Sequence, residues 1–158
     1  MNVTAPTPVP APAPSPVTCD LVAATNGSDT NAGTLSAPFR TPQKLADTLL
    51  AGQTGCLRGG TYVSTGTYVL NVARTNFRIR SYPAERARLV GITMVRNTAN
   101  GVTLSHLDFE GDATMNTIKV HAADVVIEDN LITNLSRGWS CRMLGSNDSW
   151  GAAARTIV

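Results

Sequence analysis

The chain has 158 residues, a formal net charge of +2 and 15% charged residues, about one domain's length with too little charge of either sign to form a nucleic-acid-binding or membrane-surface patch. No run approaches the ~18 apolar residues of a membrane-spanning helix. Its 13 glycines, with many Thr and Asn, point to a turn-rich β protein.

Residues 1–18 form a Pro/Ala-rich linker, with prolines at 6, 8, 10, 12, 14 and 16. Such alternation is disordered, polyproline-like spacer. No signal peptide is visible. Spacers of this kind nevertheless separate a signal or another module from an extracellular domain, so the expected location is secreted, an intracellular tail being the alternative.

Residues 19–56 read as an N-terminal cap. A short strand begins at Leu21, and Asn26–Gly33 is a loop. Thr41 is the N-cap and Pro42 the first residue of a helix predicted over 42–51, with Leu45, Ala46, Leu49 and Leu50 on one face and Gly52 as the stop. Cys19 and Cys56 are expected to form a disulfide, which suits an oxidising compartment; free thiols are the alternative. Cys141 is expected in the coil wall, or bonded to a cysteine outside this sequence.

From residue 57 to 158 the chain becomes short β runs that repeat. Val102 and Val125, Leu104 and Ile127, and Phe109 and Ile132 are each 23 apart. Ile118 to Cys141 and Val120 to Met143 extend the same offset, Phe77 precedes Val102 by 25, and Cys56 precedes Phe77 by 21. Equivalent apolar residues in register over such a period predict a β-solenoid: an all-β, right-handed parallel β-helix with ~23-residue coils. The helix at 42–51 covers its first turn, and Asn130 takes an inward corner where its amide bonds to the neighbouring turn. The last strand stops at Val158 without a polar cap, so the solenoid is expected to be C-terminally incomplete, a fragment.

Three segments resemble a known family: Asn26-Gly-Ser-Asp-Thr-Asn-Ala-Gly-Thr, Ala37-Pro-Phe-Arg-Thr-Pro-Gln-Lys-Leu, and Gly52-Gln-Thr-Gly-Cys-Leu-Arg-Gly-Gly-Thr-Tyr. Together they resemble the N-terminal opening of right-handed parallel β-helix proteins of the pectate-lyase-like superfamily, over roughly residues 20–135. The resemblance implies the fold and a polysaccharide substrate. The superfamily's calcium-binding aspartate cluster and catalytic Arg/Lys motif are not recognisable, so no catalytic residue is carried over.

Candidate sites follow from the alternation of the strands. Lys119 and His121 point outward, and Arg142 is expected one turn on from Lys119, giving a cationic strip suited to an acidic polysaccharide. Trp139 and Trp150 flank it, as sugar-stacking faces or as loop anchors. Asp108, Glu110 and Asp112 form an outward acidic stripe, expected to be a solvated wall because the next turn carries Leu131 and Thr133. His106 and Asp129 are stacked corner residues, expected to form a cross-turn ion pair.

The expected function is an extracellular, monomeric polysaccharide-acting module, a lyase or glycoside hydrolase, inactive as this piece alone. It has no nucleic-acid or membrane partner, and Ca²⁺ is a candidate cofactor of the full-length protein only. A non-catalytic surface or adhesion solenoid is the alternative.

Overall fold

The computed structural model describes residues 17–111, 117–134, 143–145 and 155–156. The proline tract, Asp112, Trp139, Cys141, Arg142 and Trp150 lie outside the described residues. The elements run β1 (Leu21–Ala23), α1 (Pro42–Thr48), β2 (Thr54–Leu57), β3 (Gly60–Val72), β4 (Arg78–Ser81), β5 (Ala87–Val95), β6 (Thr103–Ser105), β7 (Leu107–Gly111), β8 (Ile118–Val120), β9 (Val126–Glu128), β10 (Leu131–Asn134), β11 (Met143–Gly145) and β12 (Arg155–Thr156).

Each turn feeds a short strand into one sheet, ordered β1-β2-β4-β6-β9-β12, and further strands into a second, ordered β10-β7-β5-β8-β11 with β3 beside β5. Neighbouring strands pair in parallel, one turn apart. This is the parallel β-helix that the repeat predicts. Thr103 pairs with Val126 and Asp108 with Leu131, the expected 23 positions on, and Arg78 pairs with Thr103 at the expected 25.

Two registers differ from expectation. Ile118 pairs with Met143 rather than Cys141. A slip of two residues leaves every side chain on its original face, so apolar alternation cannot distinguish the two pairings. Cys56 pairs with Arg80, not with Phe77. Phe77 precedes β4 and Cys56 is within β2, bonded to Cys19. The predicted disulfide is present.

The interior is a column of stacked aliphatic residues. Ile79, Leu104 and Ile127 follow one another up the first sheet, with Leu57 two positions along β2 from the partner of Ile79, and Leu70, Val72, Leu89, Val95, Leu107, Phe109 and Ile118 fill the second, all buried. Each such side chain contributes about 1.5–3 kcal/mol of transfer free energy.

Helix α1 closes one end of this column. Thr41 caps it through its hydroxyl, which accepts from Lys44 N–H at 3.1 Å, and Leu45, Ala46 and Leu49 are buried against the core. Gly55 makes the seat: a Cβ there would collide with the Leu45 and Leu49 side chains. The helix is shorter than predicted. It ends at Thr48, and Leu50 is 61% exposed rather than part of the buried face. Leu49 has already left helical geometry, with ψ of 139°, so Leu50 no longer follows the helical spacing.

Two series of left-handed corners turn the chain. Gly52, Asn76, Gly101 and Asp124 form one, and His106 and Asp129 the other, all with φ between 54° and 83°. Asn130 stitches the second series as expected. Its Oδ1 accepts from Leu107 N–H at 2.8 Å and its Nδ2 donates to the Leu104 carbonyl at 2.9 Å.

Candidate functional site

The second sheet carries an outward row of Asn71, Met94 and Lys119, register partners on successive turns, and the backbone of Leu144 pairs with Lys119. The expected Lys119–Arg142 step is therefore corrected. Leu144 backbone follows Lys119, for the reason already given for the two-residue slip. Arg142, Trp139 and Trp150 lie outside the described residues.

The structure supplies a different cationic neighbour. Arg96 immediately follows β5 and His121 immediately follows β8. Their N–H groups donate to Val72 and Val95 carbonyls, both at 2.9 Å, so the two residues hold equivalent places one turn apart. Met94, Arg96, Asn97 and His121 line an open cleft of about 290 Å³, with Lys119 on the strand next to Met94. Arg96 is oriented by its Nε donating to Asn71 Oδ1 at 2.8 Å. That leaves the rest of its guanidinium fork free of any ion pair among the described residues. Farther down the same side, Arg74 Nη1 donates to the Leu49 carbonyl at 3.2 Å. Arg96 was missed in the sequence because it sits beyond the strand; its only signal is its place 25 positions before His121.

The acidic stripe is a different surface. Arg86 Nη2 lies 2.9 Å from Asp108 Oδ1, without hydrogen-bond alignment, and Arg88 is paired with Glu110. Glu110 is buried, so the stripe is more enclosed than the solvated wall expected. Leu131 and Thr133 follow Asp108 and Glu110 in register, as predicted. Arginines one turn earlier already neutralise these carboxylates. Among the described residues no group of three or more His, Cys, Asp or Glu could hold a metal ion. His106 and Asp129 do stack at their corner, Nε2 to Oδ2 at 3.8 Å, and Arg86 Nη1 holds the Asp129 carbonyl at 3.0 Å.

Several side chains of the opening segments are occupied in holding the cap. Asp29 Oδ1 accepts from Arg40 and Thr41 N–H at 2.8 and 2.9 Å, and Oδ2 from the Thr41 hydroxyl at 2.8 Å. Burial pushes the Asp29 carboxyl up, but the Thr41 and Arg40 hydrogen bonds, helped by Lys44, hold it below its ordinary value. Asn31 Nδ2 donates to the Pro38 carbonyl at 2.9 Å, and Gly33 leaves room for the Phe39 ring. Gln43 bridges helix and coil, donating to the Asn71 carbonyl at 3.0 Å and accepting Asn71 N–H at 2.8 Å. At Gly59, Glu85 takes the Arg58 Nε at 2.8 Å and the Gly59 N–H at 2.5 Å. These two partners hold the Glu85 carboxyl below its ordinary value. Burial above all raises the Tyr62 hydroxyl's pKa, and the hydroxyl donates to the Arg58 carbonyl at 2.9 Å.

No helix among the described residues is long and apolar enough to cross a membrane. No family model matches the chain, and no solved structure gives a significant match. A pectate lyase, PEL9, of Emericella nidulans is 35% identical over 75 residues, which span 46% of this chain and 18% of that relative. The stacked coils in parallel register make the chain a parallel β-helix, and the similarity fits one of pectate-lyase-like kind.

Proposed function

We propose that the protein acts on an extracellular acidic polysaccharide, and that the Arg96–His121 cleft with Lys119 is where it meets the polymer. The observation that carries this reading is the stacking of Arg96 and His121 on successive turns, with Lys119 on the intervening outward row and no carboxylate among the cleft's lining residues. The name of the relative, a pectate lyase, supports the substrate class, and the Cys19–Cys56 disulfide supports an extracellular location.

Cleaving a uronate polymer by elimination takes a cation to hold the sugar carboxylate and a base to remove the proton on the adjacent carbon. The electron pair of that C–H bond becomes the C=C bond as the bond to the leaving glycosidic oxygen breaks. In this reading Arg96 holds the carboxylate, with the planar fork suited to it. Lys119, in its neutral form, takes the proton. Trp139 and Trp150 supply stacking faces for neighbouring sugars. Ca²⁺ is the candidate cofactor.

A non-catalytic solenoid is the second reading, favoured by the pairing of Asp108 and Glu110 with arginines, which makes that face a wall. Ultraviolet absorbance during incubation with polygalacturonate, with and without Ca²⁺, separates the two. Growth of the unsaturated-sugar absorbance, abolished by Lys119→Ala, is expected for a lyase. Binding of the polymer without product points to the solenoid, and absence of binding overturns the polysaccharide reading.

A further inference from the structure

A second cleft lies on the other sheet. Gln53, Thr54, Asn76, Arg78, Gly101 and Thr103 line a depression of about 270 Å³ where the first corner series meets β2, β4 and β6. Thr54, Arg78 and Thr103 are register partners on three successive turns, so two hydroxyls flank one guanidinium at the ~4.8 Å strand spacing. Arg78 is exposed, and it takes part in no ion pair among the described residues.

The floor is open for a structural reason. Gly52 and Gly101 are left-handed corners, with φ of 83° and 68°. A Cβ on Gly101 would also strike Asn76 Oδ1. Gln53 Oε1 is committed to Leu50 N–H at 2.8 Å, which leaves its Nε2 as a donor. The polar side chains around Arg78 are therefore uncharged, and each can donate a hydrogen bond. No carboxylate is among the lining residues; Asp20 Oδ2 accepts from Thr54 N–H at 2.7 Å, and exposed Asp124 is the next corner after Gly101.

We propose that this cleft binds one carboxylate-bearing sugar of an acidic polysaccharide, as a second site on a different face from the Arg96–His121 cleft. Arg78 grips the carboxylate through charge-assisted hydrogen bonds. Thr54, Thr103 and Gln53 meet the ring hydroxyls, and Asp124 accepts from a hydroxyl of the adjoining sugar. The inference rests on the acidic-polysaccharide reading and adds to it. Two faces that each hold a sugar let one protein engage a polymer twice, or bridge two polymers, and so raise its avidity without any new contact at the first site.

Titration of the full 158-residue chain with galacturonate trimer, followed by amide NMR, tests it. The expected result is two separate sets of shifts: Thr54, Arg78, Gly101 and Thr103 in one, Asn97, Lys119 and His121 in the other. Arg78→Ala, at an exposed position, should weaken the first set's affinity by about tenfold and leave the second set and the unfolding midpoint unchanged. Methyl-esterified trimer, which lacks the charge, should fail to shift the first set. Shifts confined to the second set, or a first set indifferent to Arg78→Ala, overturn the second site alone. A first set that responds equally to the ester overturns the carboxylate assignment. Absence of any shift overturns both this inference and the reading beneath it.

Discussion

The cap and the coil wall are held together in different ways. In the cap, residues 19–57, individual side chains do the fastening: the Cys19–Cys56 bond, the Asp29 carboxylate, Asn31 to Pro38, and Gln43 to Asn71. In the wall the backbone ladders and the inward aliphatic column carry the stability, with outward pairs such as Arg88–Glu110 and Arg86–Asp108 between turns. Much of the motif by which the chain resembles pectate-lyase-like proteins is therefore spent on the cap's own construction. The two clefts proposed to meet a polymer are lined mainly, though not wholly, by residues of the wall: Gln53 and Thr54 of the motif line the second.

The contrast is most sharply broken by removing the disulfide. Cys56→Ser opens a loop spanning 37 positions, and chain entropy alone puts the cost at about 4 kcal/mol. Thermal unfolding should show that loss. An unchanged midpoint would mean the cap is fastened without it.

In the wall, Asn130→Leu leaves Leu107 N–H and the Leu104 carbonyl without their partner, at an expected cost of about 1–3 kcal/mol. A variant as stable as the parent would make Asn130 merely an inward filler.

Acid distinguishes the regions more gently. Asp29 in the cap and Glu85 beside β2 both have carboxyl pKa values lowered by folding. Their stabilisation is thus complete above the ordinary carboxylate range and is lost as pH falls from about 5 through the lowered folded-state values. Denaturant midpoints measured down that range should decline in the parent and less steeply in Asp29→Asn. Equal slopes would remove Asp29 from the cap's fastening.

Much of this was legible in the residues. Val102 and Val125, or Leu104 and Ile127, announce the coil because equivalent inward positions recur at a fixed offset. Cys19 and Cys56 announce their bond because one borders a solvated linker. Alternation also put Lys119 and His121 outside. It could not set the register of β8 on β11, since a two-residue slip preserves both faces, and so Arg142 was chosen where the structure offers Arg96. Nor could it show that Arg86 and Arg88 neutralise Asp108 and Glu110, because those pairs run diagonally between turns 22 residues apart. The Arg78 cleft was invisible for a similar reason. Its lining comes from three turns, and no single segment contains it.

The central claim is the proposal that the polymer is met on the outside of the wall by Arg96, Lys119 and His121. The most direct measurement is the polygalacturonate binding isotherm of the parent beside that of Arg96→Ala combined with Lys119→Ala, with unfolding midpoints taken on the same samples. The account predicts affinity at this cleft reduced by about tenfold or more with the midpoint unchanged. Identical isotherms for the two proteins would contradict it.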